Sequence, residues 1–169
     1  NLRPESFGIA FVEALAAGGV RALEVTMTVP RAVDLIREMK SALPAGFLLG
    51  AGTVTDPDTA RAVIAAGASF VVGPVFKPEV VSVCREHGVT AIPGCFSPSE
   101  ILAAHESGAD IVKVFPATSL GPQFIRDLRG PLPHIKLMPT GGVTLDNAGD
   151  WLRAGAGAAG VGSALIDPG

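Results

Sequence analysis

Six glycines divide this chain at nearly equal intervals. Gly46, Gly67, Gly88, Gly108, Gly130 and Gly155 lie 21, 21, 20, 22 and 25 residues apart. Each closes or follows an amphipathic or alanine-rich stretch. Shortly after each comes a β-rich run: FLLGAGT, FVVGP, TAIPG, DIVKVFP, IKLMPT and AGVGSAL. Gly18 and Gly19 precede ALEVTM in the same way. Glycine suits the left-handed residue that ends a helix, and a short apolar run suits a strand buried on both faces. Helix-start signals complete the unit. Thr55-Asp56-Pro57 precedes one helix, and Ser97-Pro98-Ser99-Glu100 precedes another, where Ser97 can cap while Glu100 reaches back. Strand, loop, helix, glycine, repeated, is a crossover pattern that makes its strands parallel.

Seven strands are countable from ALEVTM to AGVGSAL. The fold expected is α/β, a closed (β/α)8 barrel, with an open doubly wound sheet as the rival. On the barrel reading most of the first strand is missing ahead of Leu2-Arg3 and the last helix is missing after Pro168. Residues 1–169 then form a single barrel domain trimmed at both ends. Apolar residues make up 48% and charged ones 17%, which argues against long disordered stretches. A formal charge of −3 without a basic block argues against nucleic acid and against an anionic membrane surface. No apolar run approaches the ~20 residues of a membrane span. The chain opens on Asn1 with no signal peptide, so a cytoplasmic protein is expected. Cys84 and Cys95 show no metal-binding spacing and read as bystander thiols. His87, His105 and His134 lie in polar contexts and read as surface residues.

In a barrel the chemistry gathers at the carboxyl ends of the strands. Alternation places Ala22, Glu24 and Thr26 on one face of their strand, and Ile111, Lys113 and Phe115 on one face of theirs. A carboxylate and an amine would then both point inward near the mouth. Lys113 stands in the apolar run DIVKVFP, where an ammonium is costly unless it is paired or sheds its proton. Two readings remain open for it. One is a structural ion pair with Glu24 or a snorkelling stem; the other is a nucleophilic amine with a lowered pKa. Glu24 faces the matching choice between ion-pair partner and general base. Thr140-Gly141-Gly142 follows the seventh strand and Gly160-Val161-Gly162-Ser163 closes the eighth. Phosphate sites in such barrels are built from the loops after those two strands, where glycines let backbone N–H groups approach the anion.

The motifs ALEVT, GAGTV, IPG, VKVFPA, PTGGV and GVGSAL, in this order and spacing, resemble the 2-keto-3-deoxy-6-phosphogluconate/4-hydroxy-2-oxoglutarate aldolase family from about Leu2 to Leu165. The resemblance implies a class I aldolase, a trimer of (β/α)8 barrels that needs neither metal nor other cofactor. It puts the Schiff-base lysine at Lys113 and the proton-shuttling glutamate at Glu24. Thr53 falls near the substrate carboxylate. Thr140, Gly141 and Gly142 fall on the phosphate segment, with Gly162 and Ser163 opposite, and Pro93 and Phe115 on the apolar wall. Many members carry an arginine just beyond the LEVT motif. Here Met27-Thr28-Val29-Pro30 stands there, and Arg3 is the expected substitute. The implied substrate is a 2-keto-4-hydroxy acid, phosphorylated gluconate or its galactonate epimer before 4-hydroxy-2-oxoglutarate. The rivals are a barrel isomerase or synthase using the same phosphate loops without an imine, and a non-catalytic trimeric barrel serving as an assembly scaffold.

Overall fold

A computed structural model describes residue 12 and residues 14–162. Its strands are β1 (Ala22–Thr26), β2 (Leu48–Gly52), β3 (Phe70–Val72), β4 (Thr90–Ile92), β5 (Gly94–Cys95), β6 (Val112–Val114) and β7 (Leu137–Pro139). The helices between them are α1 (Ala32–Ala42), α2 (Pro57–Ala65), α3 (Pro78–Glu86), α4 (Pro98–Glu106), α5 (Gly121–Arg129) and α6 (Ala148–Arg153). Every strand pairing is parallel, in the orders β1-β2-β3-β4 and β5-β6-β7.

The two sheets meet at Pro93, which lies between β4 and β5. Gly73 donates its N–H to the Ile92 carbonyl on one side (3.1 Å), and Lys113 donates its own to the Pro93 carbonyl on the other (2.9 Å). One bent strand thus changes neighbour, from β3 to β6. Proline suits the break because it has no N–H to give a ladder. A parallel bridge from Thr140 to Gly160 continues the series past β7. The seven strand positions read from the sequence are all present, the last as this single bridge among the described residues.

The helix caps follow the sequence. Asp56 accepts from the Thr59 N–H at 2.8 Å, with Pro57 at the first helical position. Ser97 and Glu100 form the complete reciprocal box, with Glu100 Oε2 accepting from the Ser97 N–H at 2.8 Å. Gly46, Gly67, Gly88, Gly108 and Gly155 all take positive φ. Gly130 does not. Its φ is −63°, because the chain keeps turning right-handed and the Leu132 N–H reaches the Leu128 carbonyl. The caps also alternate in what lies over them. A Cβ at Gly67 would come 2.8 Å from Cγ of Lys40, one at Gly108 2.7 Å from Cδ of Arg85, and one at Gly155 2.9 Å from Cγ of Arg129. Gly46 and Gly88 have nothing over them among the described residues.

The outward faces of the strands bury two apolar clusters under the helices. Val25, Leu49, Ala51, Val71 and Ala91 pack with Ile36, Val63 and Val81. Val112, Val114 and Leu137 pack with Ile101, Ile125 and Trp151. Phe76, in the loop after β3, touches both clusters.

Candidate active site

Parallel register sets which side chains share the inward face. Glu24 is level with Gly50, and Gly50 with Phe70. Lys113 is level with Gly94 on one side and Met138 on the other. Each of the two charged strand residues therefore has a glycine as its lateral neighbour. The space this leaves beside Glu24 is filled in two steps. A Cβ on Gly50 would collide with the Phe70 ring, and one on Gly52 would collide with the Glu24 carboxyl. Glu24 leans over β2 at Gly52, while Phe70 covers β2 one step lower.

Lys113 is 7% exposed and is the one buried charged side chain among the described residues. Its Nζ sits 4.7 Å from the centroid of the Phe115 ring, as a cation–π contact. Among the described residues neither Lys113 nor Glu24 makes a side-chain hydrogen bond or a salt bridge. Burial lowers the Lys113 pKa from its ordinary value, and the Glu24 charge partly opposes that. Burial likewise raises the Glu24 pKa, and the Lys113 charge partly opposes it. Two partly desolvated groups that feel each other's charge, without locking into an ion pair, are suited to exchanging protons. This arrangement does not fit the structural ion pair left open by the sequence.

Around this pair the other expected residues fall at the strand ends. Thr53, half-buried directly after β2, has φ 59°. A β-branched residue rarely takes that left-handed conformation, and such strain gathers at functional positions. Pro93 is buried at the joint between β4 and β5, and Phe115 is half-buried after β6. Thr140, Gly141 and Gly142 form the loop after β7. Gly141 has φ 92° and Gly142 φ 70°. The loop is tied to its neighbours at three points. The Ala117 N–H donates to the Thr140 carbonyl (2.9 Å), Asn147 Nδ2 donates to the Gly142 carbonyl (2.9 Å), and Asn147 Oδ1 accepts from the Thr144 N–H (2.8 Å). A Cβ on Gly142 would collide with the Thr118 methyl, and Gly162 is exposed, with nothing among the described residues near where its Cβ would stand. The Thr140 hydroxyl is buried without a partner among the described residues, a cost that a hydrogen-bonding ligand would relieve. Arg3 and Ser163 lie outside the described residues.

Three contributors lie within the sequence motifs but have no role assigned there. Gly52 and Phe70 shape the slot beside Glu24, and only the register reveals their role. Thr26, the next inward residue after Glu24, pairs its hydroxyl with that of Thr28 at 2.7 Å. The alternation Ala22, Glu24, Thr26 already carried that signal.

The remaining reactive side chains stand apart. Cys84 and Cys95 are free and buried, their thiols pushed up by burial to about 11 and about 12, which makes them poor nucleophiles. His87 and His134 are exposed. His105 is half-buried, its ring edge-on to His134 with centroids 5.0 Å apart. Among the described residues no three His, Cys, Asp or Glu side chains come together as a metal site would require, and no helix is long and apolar enough to cross a membrane.

Known proteins resemble this chain in sequence and in fold. The family model "Aldolase: KDPG and KHG aldolase" matches residues 5–169. A 2-dehydro-3-deoxy-phosphogluconate aldolase from Pseudomonas aeruginosa is 41% identical over 85% of this chain, and the match spans 66% of that protein's length. A 2-dehydro-3-deoxy-6-phosphogalactonate aldolase from Escherichia coli is 35% identical over 95% of this chain and 79% of its own length. Among solved structures, native KDPGal superposes with a TM-score of 0.93 at 33% identity, covering 99% of this chain and 82% of that one. A KDPG aldolase from Legionella pneumophila, with pyruvate captured as a covalent carbinolamine intermediate, superposes with a TM-score of 0.83 at 32% identity, covering 92% of this chain and 75% of that one.

Proposed function

This chain belongs to the KDPG and KHG aldolase family, and on that premise we propose that it is a class I aldolase cleaving 2-keto-3-deoxy-6-phosphogluconate to pyruvate and glyceraldehyde 3-phosphate. The observation that carries the reading is the buried Lys113 amine, held without an ion pair beside Glu24.

The neutral Lys113 amine attacks the keto carbon to give a carbinolamine, and loss of water gives a protonated imine. The imine draws electrons, so the bond between C3 and C4 breaks as Glu24 takes the C4 hydroxyl proton, directly or through a water. The aldehyde departs and an enamine remains. A proton returned to C3 restores the imine, and water releases pyruvate and the free amine. Burial serves the first step by keeping a larger share of Lys113 unprotonated near neutral pH than an exposed lysine would have. Glu24, with its raised pKa, is better placed to give back a proton than an exposed carboxylate.

The substrate carboxylate lies near Thr53 and is gripped by Arg3. Pro93 and Phe115 wall the keto-acid half. The phosphate rests on Thr140, Gly141 and Gly142, with Gly162 and Ser163 opposite. The parallel series closes into a (β/α)8 barrel, and three barrels form the working homotrimer. The imine already supplies the electron sink that a Lewis acid gives other aldolases, so activity should survive EDTA.

Pyruvate plus borohydride tests the reading. Reduction of the imine should inactivate the protein and label one peptide, the one containing DIVKVFPA. Labelling at Lys77 or Lys136, with Lys113 untouched, would overturn it. The galactonate relative favours a second substrate, the C4 epimer, which gives the same products. Steady-state kinetics on the two epimers and on 4-hydroxy-2-oxoglutarate would rank them.

A further inference from the structure

Beside Glu24, strand β2 offers two inward glycines in succession, Gly50 and Gly52, and each leaves a gap where a side chain would stand. The gaps hold different occupants. The Phe70 ring lies where a Cβ of Gly50 would be, and the Glu24 carboxyl lies where a Cβ of Gly52 would be. Both glycines are fully buried, as is Ala51 between them, which points outward into the cluster under the helices. The strand cannot shift outward to relieve a collision without disturbing that cluster. Among the described residues no hydrogen bond or salt bridge fixes the Glu24 carboxyl. Its close contacts are with bare backbone on one side and an aromatic ring below, and the Lys113 charge acts on it from across the site.

We propose that Gly52 is a positioning residue for Glu24, its missing side chain opening the slot that aims the carboxyl at Lys113 while Phe70 closes the slot below. A glutamate has three rotatable bonds, and an unanchored one would sample several rotamers. With the lower gap occupied and the upper one free, one arrangement remains. The inference rests on the aldolase reading above and extends it to residues that touch no substrate atom.

The test is a double-mutant cycle on the purified protein, with Gly52→Ala made in the unaltered chain and again with Glu24→Ala. In the unaltered chain, Gly52→Ala should lower kcat by about 10²-fold, a typical loss for displaced acid–base catalysis. KM should change little, and pyruvate with borohydride should still label Lys113. With Glu24→Ala, where no carboxyl occupies the slot, the loss caused by Gly52→Ala should shrink to about 2-fold, because groups acting as a unit are not additive. Equal losses in both backgrounds, or an unchanged kcat in the first, would overturn the proposal. If Gly52→Ala alone does not fold, a double variant that melts like the Glu24→Ala protein upholds the slot, and one that also fails overturns it. Absence of labelling in the unaltered protein would instead remove the aldolase reading, and the slot would then be judged on the melting temperatures of the same four proteins.

Discussion

The half of the molecule built on β1 to β4 and the half built on β5 to β7 use the same crossover unit but present different surfaces inward. The first shows Glu24, two bare glycines and an aromatic ring, with Thr53 directly after β2. The second shows Lys113, the Phe115 ring against it and the Gly141-Gly142 turn. Each half has its own apolar cluster under its helices, and Phe76 is common to both. On the proposed reading, covalent capture and phosphate grip belong to one packing unit, and proton transfer to the other. The strand that bends at Pro93 joins them. Each charged group keeps its burial from its own half and takes its electrostatic partner from the opposite one.

The sharpest way to break this division is to delete one function at a time. Lys113→Ala, a lesion in the second half, should abolish both turnover and pyruvate-borohydride labelling, read by steady-state assay and peptide mapping. Glu24→Gln, in the first half, should separate the two. Turnover should fall by ~10²–10⁴-fold while labelling at Lys113 persists. The same variant carries a pH signature. The Glu24 charge holds the Lys113 pKa up against burial, so removing it should lower that pKa further and move the acid limb of the labelling rate to lower pH. A limb that stays put or moves up would mean that the halves are not electrostatically coupled.

Smaller effects sharpen the comparison within the second half. Gly142→Ala puts a Cβ into the Thr118 methyl at a backbone φ of 70°. KM for phosphorylated substrate should rise by ~10-fold, the scale of one lost charge-assisted hydrogen bond, with 4-hydroxy-2-oxoglutarate nearly unaffected. The smallest effect is on stability. Lys113→Met removes a buried cation that no carboxylate pairs, and should stabilise the fold by about 1 kcal/mol at neutral pH. The folded-state pKa of Lys113 lies below 10.5, so the burial cost is felt in full below that folded value and fades as pH rises toward 10.5. Thermal melts of both proteins across this range should therefore converge at high pH.

Much of this was legible before any coordinates. The glycine period gave the parallel crossover units because each unit carries its own local signals: a cap at Asp56 or Ser97, a left-handed stop, a short apolar strand. Alternation put Glu24 and Lys113 on inward faces. Gly130 read the same as its fellows in sequence but is right-handed, since the choice of helix ending depends on where Leu132 finds a partner. The slot at Gly52 was invisible for a different reason. It exists only when β1, β2 and β3 lie in register, and GAG in a strand reads equally well as simple close packing. The strain at Thr53 was hidden too, since nothing in the string GAGTV demands a left-handed threonine.

The alternating cover over the helix-ending glycines gives the molecule a different symmetry from the one its glycine spacing suggests. Counted by cap position, the chain repeats once per strand and helix. Counted by what lies over the cap, covered and bare caps take turns from Gly46 to Gly108: Gly46 bare, Lys40 over Gly67, Gly88 bare, Arg85 over Gly108; after the right-handed ending at Gly130, Arg129 covers Gly155. The interior keeps the same beat on its first strands, large at Glu24, empty at Gly50, large at Phe70. Bulk and vacancy take turns across these three strands, whereas Lys113 and Met138 stand side by side at one level on β6 and β7. From β1 to β3 inside, and from Gly46 to Gly108 outside, packing therefore repeats every two crossovers, so a segment exchanged there keeps inner and outer packing in phase when two crossovers move together.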